Sequence, residues 1–92
     1  PGRPAFLAVR IDPAARGAAV VGEALPGTPA ARAGLRAGDR VTAVSGSTVR
    51  SAGELRDAVG RHRPGDRVAV AWVDGAGAPH TATVVLAEGP VA

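Results

Sequence analysis

The chain has 92 residues, 46% of them apolar, but it holds one Phe, one Trp and no Met. At this length a little over about 60% of the unfolded surface can be buried, and the apolar supply is mostly Ala and Val, so one domain with a thin core built from β-branched residues is expected. The eleven basic residues are all arginine, interleaved with eight acids for a net charge of +3. They form no basic run with aromatic neighbours, which argues against nucleic-acid binding. Absent cysteine excludes disulfides, thiol catalysis and cysteine-based zinc sites. No apolar run approaches the roughly 20 residues of a membrane span, so no direct membrane insertion is expected. With no initiator Met and no signal peptide, an excised domain or mature fragment is expected.

In chain order, RPAFLAVRI (3–11) alternates Leu7, Val9 and Ile11 with Phe6, Ala8 and Arg10. This period of two predicts one half-buried strand. DPAARG (12–17) is a turn, and AAVVGEAL (18–25) predicts a second strand. PGTPAARAGL (26–35) reads as a short helix cassette. Thr28 is placed to cap it, Pro29 to fill its first position and Gly34 to end it in the left-handed region, with Leu35 as the hydrophobic contact beyond. AGD (37–39) turns into the strand RVTAV (40–44), Ser45-Gly46 is a tight turn, and Thr48-Val49 is a candidate short strand.

SAGELRDAVGRH (51–62) is the best helix. Ser51 and Glu54 have capping-box spacing, and Leu55, Ala58, Val59 and His62 form its apolar stripe. RPGD (63–66) stops it. RVAVAWV (67–73) alternates Val68, Val70 and Trp72 on one face; DGAGAP (74–79) is a hairpin loop and HTATVVL (80–86) its return strand. No internal repeat is read, and EGPVA (88–92) is a tail after a core of about residues 3–88.

Little of this pattern supports catalysis. Ser45 and Ser47 lie in a turn, Ser51 caps a helix, and no G-x-S-x-G elbow exists to pair with His62 or His80. Those two histidines lack metal-ligand spacing, so no metal site and no cofactor is expected. GAG (75–77) joins two strands and has neither the lysine nor the helix of a phosphate loop. Recognition of an extended peptide at an open sheet edge remains.

PGTPAARAGLRAGDRVTAVSG resembles the PDZ pattern of small helix, Gly-Leu, x-x-Gly-Asp, strand and turn, with Ser45-Gly46 where the family usually has Asn-Gly. STVRSAGELRDAVGRHRPGDRVAVAWV is similar to the family's groove helix and following strand, and FLAV (6–9) occupies the place of its carboxylate-binding motif, with Ala8 where glycine is usual. The resemblance covers about residues 3–88 and is nearest the C-terminal PDZ of bacterial HtrA-type serine proteases; site-2-type and C-terminal-processing proteases carry similar modules. It implies one α+β domain over 1–92: a circularly permuted, five- to six-stranded, mostly antiparallel, partly open barrel or sandwich, capped by one short and one longer helix. It also implies an extracytoplasmic setting.

The implied function is binding of hydrophobic C-termini or extended segments of peptides and unfolded proteins, on behalf of a parent protease domain that holds the catalytic site. The implied site is Arg3, Phe6, Leu7, Ala8, Val9, Arg10 and Ile11 on the strand side and Ala52, Arg56 and Val59 on the helix side. The amides of Leu7, Ala8 and Val9 would hold a terminal carboxylate, with Arg3 assisting directly or through water. Leu55 and Ala58 would face the core and Ala52, Arg56 and Val59 the groove; the opposite face assignment stays open. Ala52, where some PDZ domains have a hydroxyl-selecting histidine, implies a hydrophobic preference. Arg56 would meet ligand backbone or an acidic side chain. Ala8 means either that the loop takes ordinary β geometry or that carboxylate binding is weakened. Two further readings are an assembly module with a vestigial groove, and self-contact in which the EGPVA tail enters a neighbour's groove.

Overall fold

The structure, a computed structural model, describes residues 5–7, 9–11 and 18–88. Its elements in order are β1 (Ala5–Phe6), β2 (Val9–Ile11), β3 (Ala19–Ala24), α1 (Pro29–Ala33), β4 (Arg40–Val44), β5 (Ser47–Thr48), α2 (Ala52–Gly60), β6 (Arg67–Val73), β7 (Pro79–Val85) and β8 (Ala87–Glu88). The main sheet runs β2-β3-β4-β6-β7, with β5 paired to β4, and every pairing is antiparallel. A separate two-stranded pair joins β1 to β8, with Ala5 opposite Glu88 and Phe6 opposite Ala87. This is the α+β, mostly antiparallel architecture with a short and a longer helix that the sequence implies.

The alternating strands behave as their patterns require. On β6, Val68, Val70 and Trp72 are buried, and Val41 and Val44 of β4 join them in the core with Leu55, Ala58 and Val59 of α2. One expectation is corrected. Residues 3–11 do not form a single strand: the segment splits into β1 and β2, with Leu7 between them fully buried. The first half leaves the sheet to pair with β8.

Both helices are short and depend on their ends. Pro29 occupies the first turn of α1, and Gly34 closes it at φ 100°, its N–H bonded to the carbonyls of Ala30 and Ala31. A side chain at that φ is strained, which is why glycine stands there. Thr28 sits at the N-cap position but makes no side-chain cap; its hydroxyl donates back to the Leu25 carbonyl. Thr hydroxyls commonly satisfy such local carbonyls in place of the helix. α2 has half of the expected box: Ser51 Oγ accepts from the Glu54 N–H at 3.1 Å, while Glu54 Oε1 reaches one residue past the N-cap and accepts from the Arg50 N–H at 2.7 Å.

Two four-residue turns, Arg36-Ala37-Gly38-Asp39 and Arg63-Pro64-Gly65-Asp66, are built alike and launch the neighbouring strands β4 and β6. In each, the Asp N–H bonds to the Arg carbonyl and the Asp Oδ2 accepts from the Arg N–H, at 2.8 and 2.9 Å. In each the glycine has positive φ, 94° and 92°, the geometry of a type II turn. Asp39 is thereby paired although only 5% exposed. The first turn is also stitched to β3, the Gly38 N–H to the Val21 carbonyl and the Val21 N–H to the Asp39 carbonyl.

Candidate functional site

Among the described residues β2 pairs with β3 alone, so its other backbone edge is open. Val9 and Ile11 are half-buried and packed on the core. Arg10 stands opposite Glu23 in register, and the pairing shifts between Arg10 and Ile11. Just before β2, the Leu7 carbonyl accepts the Ala30 N–H of α1 at 3.1 Å. The buried Leu7 side chain and this bond fix the entry to β2 at two points. α2 packs against β1, β3 and β4 and so borders the corner where Leu7 turns inward.

On α2, Ala52 is half-buried, Arg56 is exposed and Val59 is buried together with Leu55 and Ala58. The three lie at spacings of four and three residues, one helical face. Only Ala52 and Arg56 of that face reach the surface. Arg56 has Ala52, Gly53, Val59 and Gly60 as its helical neighbours, so no acid on its own face neutralises it. Phe6 lies on β1 opposite Ala87. Arg3, Ala8 and the tail beyond Glu88 lie outside the described residues.

A second feature was not anticipated from the sequence. A cleft of about 330 Å³ opens between the end of α1 and the base of the β6–β7 hairpin, lined by Arg36, Asp39, Trp72, Asp74 and His80 among others. The His80 ring stacks on Trp72 at 5.5 Å, and its Nε2 lies 2.7 Å from Asp74 Oδ2. Asp74 Oδ1 accepts the N–H groups of Ala76 and Ala78, both at 2.9 Å. The His80 hydrogen bond first, and the Ala78 N–H next, hold the Asp74 carboxyl below its ordinary value. The sequence signal was the DG turn alone; the register that sets Trp72 opposite His80 is fixed by the hairpin. His62 sits elsewhere, 3.7 Å from Asp66. Among the described residues no three His, Cys, Asp or Glu side chains gather to hold a metal.

Comparison with known proteins agrees with this fold. The chain is 42% identical over 50 residues to the periplasmic pH-dependent serine endoprotease DegQ of Escherichia coli (strain K12), covering 54% of this chain and 11% of DegQ. The photosystem II D1 C-terminal processing protease superposes with a TM-score of 0.73 at 25% identity, over 98% of this chain and 24% of that one. The HtrA-type protease AlgW with decapeptide superposes with a TM-score of 0.81 at 20% identity, over 98% of this chain and 31% of that one. The chain thus spans about a tenth of its curated relative and no more than about a third of either structure. The PDZ domain family model matches residues 20–72, more than half of the chain. The chain is a member of the PDZ domain family.

Proposed function

We propose that this domain receives the C-terminal segment of a polypeptide as an added strand on the open edge of β2, and that it does so as the substrate-recognition module of a longer, extracytoplasmic HtrA-like serine protease. The observation that carries this is the edge of β2, unpaired among the described residues. Backbone pairing supplies affinity there, and alternate side chains entering pockets supply specificity. Catalysis belongs to the longer protein. The kinship with DegQ, a periplasmic endoprotease, and the decapeptide named with AlgW support the setting and the ligand class.

The terminal carboxylate is held by the amides of Leu7, Ala8 and Val9, with Arg3 assisting. The last ligand side chain is apolar, matched to the half-buried Val9, with the buried Leu7 and Val59 behind it. Ala52 supplies no imidazole to select a hydroxyl, and Arg56 meets an acidic side chain nearer the ligand's middle.

Titration with a peptide ending in an aliphatic carboxylate, and with its amidated twin, tests this. Binding that is lost on amidation is expected. Failure of both peptides to bind would overturn the proposal in favour of a vestigial groove.

A further inference from the structure

We propose that β7, the opposite end of the sheet, pairs edge to edge with β7 of a second copy of this chain. The inference rests on what that strand lacks. β7 is seven residues long, about 23 Å, and among the described residues its backbone pairs with β6 alone. Its ladder to β6 runs through seven consecutive pairs without a register shift. The sequence PHTATVV contains no Asp, Glu, Lys or Arg, and its one proline is at the first position. Natural sheets guard open edges with charge, bulges, interior proline or shortness. β2, the edge proposed to take peptide, is three residues long with Arg10 at a register shift. β7 has none of these guards; the remaining one, cover by a helix or loop, falls to α1. No backbone bond from α1, which packs against β7, reaches it among the described residues.

A second copy is favoured as the occupant because the strand is complementary to itself. Antiparallel pairing centred on Ala82 sets Thr81 against Thr83 of the other copy, twice by symmetry, and Val85 against Pro79. Thr–Thr pairs are favourable across antiparallel strands, and no like charges meet. Thr81, Thr83 and Val85 are all exposed, and Val85, 52% exposed, is the large apolar side chain left on the described surface. Two single strands bury less than the roughly 1,000 Å² a stable interface needs, so the association is weak and depends on concentration.

Sedimentation equilibrium of the 92-residue chain over a concentration series tests this. The expected result is a weight-average mass rising from 9.1 kDa toward twice that value. Two double variants follow, one with Thr81→Lys and Thr83→Lys, the other with Thr81→Glu and Thr83→Glu. Each sets like charges opposite each other twice, so each alone should dimerise about tenfold more weakly. An equimolar mixture of the two should restore association. The amidation-sensitive peptide titration should be the same for the parent chain and both variants, because β2 and β7 are opposite edges. A wild-type chain that stays monomeric to millimolar concentration, variants that associate like wild type, or a mixture that fails to recover would each overturn the proposal.

Discussion

The N-terminal box of α2 should control whether the groove wall stands. The helix has nine residues, fewer than the roughly 12–15 an isolated helix needs in water. Gly53 and Gly60 each weaken it by about 1 kcal/mol relative to Ala. Burial of Leu55, Ala58 and Val59 offsets this, and so does the cap. Ser51→Ala removes the acceptor of the Glu54 N–H and should cost about 1 kcal/mol, within a range of 0.5–2. Glu54→Ala frees the exposed Arg50 N–H and removes a carboxylate from the first turn; solvent screening keeps that cost to about 0.5–1 kcal/mol. Both groups serve one turn, so the double variant should lose less than the sum of the two. Gly60→Ala should act in the other direction by about 0.5–1 kcal/mol, since a Cβ there meets nothing within 4 Å. Urea and thermal unfolding followed by circular dichroism read these values, and each kcal/mol moves the melting temperature by about 4–8 °C in a domain of this size. A Ser51→Ala midpoint indistinguishable from wild type, with an unchanged urea slope, would refute this account of the helix.

Other predictions test separate parts of the molecule. Ala37→Pro places proline where Pro64 stands in the twin turn and should stabilise by about 0.4–1 kcal/mol by restricting the unfolded chain; a loss in urea midpoint would show that the two turns are not equivalent. Ser45→Asn should raise the midpoint by up to about 1 kcal/mol, because Ser45 is held at φ 49° beside Gly46 at 81° and Asn tolerates that region better. The Asp74 carboxyl is depressed by His80 and the Ala78 N–H, so its stabilisation is complete above the ordinary carboxylate range and is lost as pH falls through the depressed value. The stability gap between wild type and Asp74→Asn should therefore be wide near pH 7 and close below about pH 4; a gap constant with pH would refute it. Arg56→Glu should weaken binding of a peptide with Glu third from its end by about two- to tenfold at low salt, and barely change its Gln counterpart; equal effects on both would place Arg56 away from that side chain.

Much of the fold was legible because local rules and tertiary needs agree. The alternation in 40–44 and 67–73, the Ser51–Glu54 spacing and the Pro29–Gly34 bracket each match what the structure requires. Period two over residues 3–11 predicts one strand where the structure has two, because it reports parity, not partner. Leu7, Val9 and Ile11 share a parity whether or not the segment is continuous, and the pairing that interrupts it comes from Ala87–Glu88, about eighty residues away. Thr28 escaped for a different reason: its hydroxyl had two local partners, and the Leu25 carbonyl won. The Trp72–His80–Asp74 cluster depends on hairpin register, which side-chain pattern alone leaves open. The RAGD and RPGD turns were visible as separate stops, while their equivalence emerged from their shared hydrogen bonds.

The β1–β8 pair has a mechanical consequence. Ala5 faces Glu88, so the first and last described residues lie at the same corner. Tension between them loads the pair as a zipper, one residue at a time, and the last residue to part, Phe6, adjoins Leu7. A load on the flanking chain thus reaches the entry to β2 before it reaches the main sheet. Stretching a single molecule from its two ends should release a small, low-force step ahead of domain rupture, and deleting residues 87–92 should abolish that step.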